Sequence, residues 1–422
     1  MTHLNSSRSG AASAVIEAFQ GVRGRSLELA EGLSDADATV QSMEDASPAK
    51  WHLAHTTWFF ETFVLAPHSP GYRAFDDRFA YLFNSYYNGA GPRHARPRRG
   101  LITRPSLAEV VAYRRHVDAA MEEFLPGAGR EALDSVVVGL NHEQQHQELL
   151  LTDLLHLFAQ NPFAPAYRKG EPLAVDSQPV PAMGWVRIEG GLKEIGAPAD
   201  GFAFDCERPR HTALVRDVDI ASRAVTAGEW IEFMADGGYT APGLWLSDGF
   251  ARAEAEGWTA PLYWSERGGE WWTVTLRGPQ PVDRDAPVCH ISYFEADAFA
   301  TWAGARLPTE AEWELAAADY SETGNLAGSG RLRPRPQRAA TGLAGLFGDV
   351  WEWTSSAFLP YPGFRPLPGT MGEYNGKFMS GQMVLKGGSC ATPEGHVRAS
   401  YRNFFPPEKR WQFSGLRLAR EV

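Results

Sequence analysis

The chain reads as two domains of different texture: a helical N-terminal half, arranged as an antiparallel four-helix bundle, and a mixed α+β C-terminal half. Three observations predict this. Apolar residues recur at helical spacing up to about residue 170. The stretch 170–184 (GEPLAVDSQPVPAMG) is rich in Pro, Gly and small residues and reads as a linker. Beyond it tryptophan and glycine become frequent and the elements become short. At 422 residues the chain exceeds one ordinary core and suits two domains, taking on the order of 100–200 residues for each. The expected boundaries are therefore 1–169, a linker at 170–184, and 185–422.

Four helices are expected in the first half. Residues 11–31 carry apolar positions at helical spacing. Residues 48–65 (PAKWHLAHTTWFFETFVL) open on Ser47-Pro48, and proline is common at the first helical position. Residues 106–125 open on Ser106 with Glu109 three residues later, a capping-box pattern. Residues 131–159 are the strongest helix, with Leu149, Leu150, Leu154, Leu155 and Phe158 recurring along one side. Bundles of this kind build metal sites from side chains facing their interior. In the second half one helix is expected around Tyr293–Gly304 and another after Pro308. Turn signals stand at Asp236-Gly237-Gly238, Ser247-Asp248-Gly249 and Gly387-Gly388-Ser389.

Composition narrows the function classes. A net charge of −11 and a pI near 5.6 argue against nucleic acid as the main partner, because phosphate binding needs a basic face. One basic run, Arg93 to Arg104, stands against that trend. No run of about 18 apolar residues is present, so no membrane span is expected. The opening MTHLNSSRSGAASAVIEAF has no basic stretch leading into an apolar core, so no signal peptide is expected, and the expected location is the cytoplasm. Cys206, Cys289 and Cys390 are too few and too scattered for a disulfide framework, and read as small buried hydrophobes.

The segment Asn141-His142-Glu143-Gln144-Gln145-His146 places two histidines four residues apart on one helical face, where both imidazoles can reach one ion. The same letters match H-E-x-x-H, the helix of many zinc peptidases, with Glu143 as base. A metzincin would need Gly and His where Leu149 and Thr152 stand. A thermolysin-like enzyme would need a Glu ligand from a later helix, where this chain runs into its proline-rich linker. His156 lies ten residues past His146, about 15 Å along the helix, and Glu148 lies about 200° around it, so neither can join. A third ligand is better sought upstream, at His52 or His55. An all-imidazole site suits iron, copper or zinc, and residue types alone do not choose among them.

At this point the chain resembles a known family. The pieces LAH at 53–55, FNSYYN at 83–88, NHEQQHQELLLTD at 141–153, FGDVWEWT at 347–354, EYNGKFM at 373–379, LKGGSCATP at 385–393 and YRNFFPPEKRWQFSGLRLA at 401–419 look like the ergothioneine-biosynthesis sulfoxide synthases. The resemblance runs from about residue 46 to 419. It implies a DinB-like four-helix bundle followed by a domain related to the formylglycine-generating enzyme, of C-type-lectin-like fold. It also implies a non-haem Fe(II) cofactor and O2. The implied reaction joins cysteine sulfur to the imidazole C2 of N-α-trimethylhistidine (hercynine) and yields a sulfoxide.

The resemblance further assigns His55, His142 and His146 as metal ligands. A Tyr pair on its own usually packs, but here the resemblance implies active-site tyrosines, with Tyr87 the principal proton donor and Tyr86 its support. Arg96 and Arg99 are implied to hold the cysteine carboxylate, which a guanidinium binds in bidentate fashion. Phe404 and Phe405 are implied to face the quaternary ammonium of hercynine, with Asn403 and Gln145 on its carboxylate and imidazole. These assignments put the substrate site at the junction of the two domains.

One branch of the family accepts γ-glutamylcysteine and carries an Asp and an Arg where this chain has Phe405 and Lys409. Free cysteine is therefore the expected sulfur donor. Formylglycine generation is disfavoured, because 401–419 lacks the cysteines that chemistry needs. The rival readings are a synthase of another thiohistidine or of a selenium analogue, a binding module with an inert bundle, and the peptidase.

Overall fold

The computed structural model describes residues 2–168, 179–338 and 341–422, with the side chains of 2–12 left out. Residues 170–178 of the expected linker lie outside the described residues. The chain forms two compact units, Met1–Gln160 with Leu367–Tyr374, and Asn161–Pro366 with Asn375–Val422.

Four long helices make the first unit: α1 (Thr2–Ala30), α2 (Ala49–Phe60), α3 (Leu107–Phe124) and α4 (Arg130–Ala159). Helix α2 packs against α3 and α4, and α1 against α4. The capping box at α3 forms as the spacing predicts: Ser106 Oγ accepts from Glu109 N at 3.3 Å, and the Glu109 carboxylate accepts from Ser106 N at 2.7 Å. The core between the helices is aromatic, with Phe19, Trp51, Trp58, Phe59, Phe60 and Tyr113 all buried.

The helix expected over 48–65 is present but changes type along its length. It turns into a π-helix at Glu61–Leu65, where the sequence predicts unbroken α-helix. Pro67 has no N–H to give the Phe63 carbonyl, and its ring would clash there in a regular α-helix; a wider turn avoids both problems. The turn also carries the buried Glu61, which accepts from Tyr72 Oη and Tyr113 Oη at 2.6 Å each and from Phe75 N at 3.2 Å.

The second unit is mixed, as its texture predicts. One sheet joins β1 (Trp185–Ile188), β4 (Val218–Ala221) and β12 (Ala419–Glu421), and a hairpin joins β2 (Gly191–Ile195) to β3 (His211–Val215). A three-stranded meander follows, β5 (Trp264–Arg267), β6 (Glu270–Thr275) and β7 (Gly278–Pro281). The last sheet runs β10-β9-β8-β11, from Asn403–Phe405, Met383–Lys386, Trp351–Ala357 and Ser414–Leu416, with β8 and β11 parallel.

The two helices expected here are present, at Tyr293–Trp302 and Glu310–Ala317. Two more, Ala227–Ala235 and Ser247–Glu256, correct the reading. Ser247-Asp248-Gly249 opens a helix instead of making a turn. Asp248 suits a first helical turn, and Gly249 is needed for close packing, since a Cβ there would stand 2.6 Å from Phe294 Cβ. Among the described residues no helix is long and apolar enough to cross a membrane.

Candidate metal centre

Trp51, His55 and Trp58 fall on one face of α2, and the His55 ring lies between the two indoles. It is 4.5 Å from Trp51 and 5.5 Å from Trp58, at 15° to each. His55 Nδ1 is 2.6 Å from the Phe83 carbonyl oxygen, so Nδ1 carries the proton and Nε2 keeps its lone pair. That Nε2, and both ring nitrogens of His142, are buried without a hydrogen-bond partner.

Buried orphan nitrogens are rare because each costs free energy. Here they converge. One ligand atom from each of His55, His142 and His146 lies within 4.8 Å of the others. Burial favours the neutral, ligating form: it lowers His142 to about 3 and holds His55 and His146 well below the usual imidazole value. The residues fit a single ion held by three imidazoles, a set that leaves positions open for other ligands.

His52, the alternative to His55, is otherwise engaged. Its Nδ1 is 2.8 Å from His146 Nδ1 and its Nε2 is 3.1 Å from Asp153 Oδ2. Glu143 is not available as a peptidase base. Fully buried, it accepts from Ser26 Oγ at 2.5 Å, from Arg23 Nη1 at 2.9 Å and from Arg114. Burial alone would raise this carboxyl, but Arg114 and Arg23 hold it down at about 2. His156 Nδ1 bonds Ser42 Oγ at 2.7 Å and is likewise taken.

Tyr86 and Tyr87 sit on a turn held from two sides. Asn84 Nδ2 donates to the Tyr87 carbonyl at 3.0 Å, while Asn84 Oδ1 accepts from Tyr87 N at 3.2 Å. Glu373 accepts from the next two amides, Asn88 N at 2.9 Å and Gly89 N at 2.8 Å. The Tyr87 ring is buried against Trp58 (5.6 Å), Phe63 (5.2 Å) and Tyr86 (4.9 Å). Burial raises both phenols above their ordinary value, so both stay protonated.

A third tyrosine completes the cluster. The Tyr374 ring is 6.1 Å from Tyr86 and stands edge-on to His142 at 5.5 Å. Sequence reasoning assigned no role to Glu373 or Tyr374. The available signal was the EYNGKFM piece itself.

Arg99 is 3% exposed. It donates to Ser47 Oγ at 2.9 Å and Ser85 Oγ at 3.1 Å, and its Cζ lies 3.3 Å over the Trp51 ring. Among the described residues no carboxylate pairs with it, and its Nε has no hydrogen-bond partner. Burial and the neighbouring Arg96 disfavour its charge, a cost that a bound anion would relieve. Arg96 is exposed and donates to the Asp45 carbonyl. Gln145 lies half-buried on α4 between the two histidines.

Asn403, Phe404 and Phe405 lie together on β10 in the second unit. Phe404 stacks on Phe358 at 4.1 Å, Phe405 meets Trp411 at 5.4 Å, and Asn403 Oδ1 accepts from Phe404 N at 2.9 Å. All three cysteines are buried and none forms a disulfide, as expected.

Residues 18–160 match the DinB superfamily, and residues 171–334 and 321–422 match the sulfatase-modifying factor enzyme 1-like domain. The chain is 34% identical over 436 residues to the hercynine oxygenase of Mycobacterium tuberculosis, covering 95% of this chain and 97% of that one. It is 30% identical over 293 residues to the formylglycine-generating enzyme of Streptomyces coelicolor, covering 58% of this chain and 92% of that one. It is 28% identical over 232 residues to ergothioneine biosynthesis protein 1 of Schizosaccharomyces pombe, covering 52% of this chain and 28% of that one.

Proposed function

The chain belongs to the hercynine oxygenase family, and from that premise we propose that it is an Fe(II)- and O2-dependent sulfoxide synthase that joins cysteine to hercynine. The observation that carries the reading is the convergence of His55, His142 and His146, with Tyr374 packed against one of them. The product is hercynylcysteine sulfoxide, as in ergothioneine biosynthesis. Bonding sulfur to the imidazole C2 removes the C2 hydrogen and the thiol hydrogen. One oxygen atom of O2 goes to sulfur and the other leaves as water with those two hydrogens. Such a reaction needs a redox-active ion, which favours iron over zinc.

Fe(II) held by His55, His142 and His146 would acidify the cysteine thiol and supply the redox chemistry that O2 requires. The remaining work falls to the protein. Arg99, a buried guanidinium with no carboxylate partner among the described residues, suits the cysteine carboxylate, with Arg96 beside it in the loop. Phe404 and Phe405 offer aromatic faces to the trimethylammonium group, and Gln145 and Asn403 polar contacts to the rest of hercynine. Tyr87 holds the proton to be delivered, with Tyr86 as its hydrogen-bonded support. Phe405 and Lys409 supply no carboxylate–guanidinium pair for a glutamyl group, which favours free cysteine.

Anaerobic reconstitution with Fe(II), followed by hercynine, cysteine and air, tests this by mass analysis. One iron per chain and hercynylcysteine sulfoxide are expected. Bound iron without that product would refute the proposal, and product from γ-glutamylcysteine alone would overturn the choice of donor.

A further inference from the structure

The ligand set uses His55, His142 and His146 and leaves two buried polar side chains beside it unexplained. His52 is 3% exposed and Asp153 is 6% exposed. Both stand on the helices that carry the ligands. Asp153 follows His146 by seven residues, two turns along α4, and His52 precedes His55 by three on α2, so each falls on its ligand's side of the helix. Asp153 Oδ2 accepts from Ser47 N at 2.7 Å and lies 3.1 Å from His52 Nε2; His52 Nδ1 lies 2.8 Å from His146 Nδ1.

The geometry points to a relay, Asp153–His52–His146, that fixes the tautomer of His146 for metal binding, with His52 and Asp153 as positioning residues. This rests on the metal centre proposed above. A carboxylate only accepts, so the proton of the 3.1 Å contact belongs to His52 Nε2. A neutral His52 then has only a lone pair at Nδ1. The contact between the two Nδ1 atoms therefore takes its proton from His146. His146 Nε2 is left with a free lone pair, and it is the nitrogen that remains to ligate.

The opposite arrangement has His52 donating to His146 Nδ1, which places a proton on His146 Nε2 and blocks ligation. Metal-bound histidines commonly donate their second nitrogen to a carboxylate, and here an imidazole is interposed. Ser47, whose N–H anchors Asp153, also accepts from Arg99 through its Oγ, so the relay is braced by the loop that holds Arg99.

Three variants test the relay by anaerobic titration with Fe(II) and with Co(II) as a spectroscopic probe, without substrates. His52→Phe keeps an aromatic ring but removes both nitrogens. Asp153→Asn keeps the shape, but its amide can donate to His52 and invert the chain, as a carboxylate-to-amide change does in the Ser-His-Asp triad. His52→Asn keeps an acceptor near the position of Nδ1. Affinity is expected to fall about 10–100-fold in His52→Phe and Asp153→Asn, with altered Co(II) d–d bands, and to recover in large part in His52→Asn. Wild-type affinity and bands in the first two would overturn the relay. So would an equal loss in all three, because the acceptor would then make no difference. Failure of the unmodified protein to bind either ion would instead remove the metal centre itself.

Discussion

Replacing Glu143 by Gln separates a structural carboxylate from a catalytic one. Glu143 is fully buried, and Arg114, also fully buried, has no other carboxylate within ion-pair distance among the described residues; Arg23 keeps Asp118 at 2.6 Å. The amide variant therefore strands the Arg114 guanidinium, and breaking a buried pair from one side costs about 3–5 kcal/mol. Proton linkage gives a similar figure. A carboxyl held at about 2, against an ordinary value of 4.5, contributes roughly 3 kcal/mol. Since the folded value is the lower one, that stability is complete above about pH 4.5 and is lost as the pH falls through about 2.

In a domain of this size each kcal/mol moves the thermal midpoint by about 2–4 °C, so metal-free Glu143→Gln should melt roughly 6–20 °C early by circular dichroism at 222 nm. Wild type should lose a comparable margin between about pH 4.5 and 2, and the variant should not. A midpoint unchanged at neutral pH, with activity abolished, would refute the structural role and restore Glu143 as a base.

Three further outcomes are expected. Gly139→Ala should lower the unfolding free energy from urea titration by about 1–3 kcal/mol, although alanine is normally the better helix former, because its Cβ would meet Phe60 Cε1 at 2.7 Å and Phe59 Cε1 at 2.9 Å; a gain in stability would show that those rings yield. Tyr87→Phe should divert flux from the sulfoxide to cysteine sulfinate, read by mass spectrometry. An unchanged partition there, with diversion in Tyr374→Phe, would move the donor role to the phenol against His142. Glu373→Gln weakens two charge-assisted bonds and should speed hydrogen exchange at Asn88 and Gly89 about 5–30-fold; unchanged exchange would show that Asn84 holds the turn alone.

Local signals were legible where the physics is local. The capping box at Ser106 and Glu109 and the apolar stripe of α4 needed only near neighbours, and they locate their helices to within a residue or two. Thr226 with Glu229 carries the same S/T-x-x-E signal and marks a helix that texture alone hid. Other features depend on distant partners. Spacing puts His52 and His55 near the same place, and only their contacts with Asp153 and the Phe83 carbonyl tell them apart. The pattern H-E-x-x-H is identical whether its Glu faces an ion or two arginines. Arg99 sits in a run of charges that reads as surface, yet Trp51, Ser47 and Ser85 enclose it. The π turn needs Pro67 and the partners of Glu61 together.

The eight residues Leu367–Tyr374 give the helical unit an order of assembly in time. His146 leaves the ribosome about 230 residues before Tyr374, and at about 5–20 residues per second that is an interval of roughly 10–50 s. Throughout it all three histidines exist, while the carboxylate that pins the Tyr86–Tyr87 turn and the ring that covers His142 do not. An ion captured on the nascent chain meets an uncovered centre, whereas one captured after release meets a finished one.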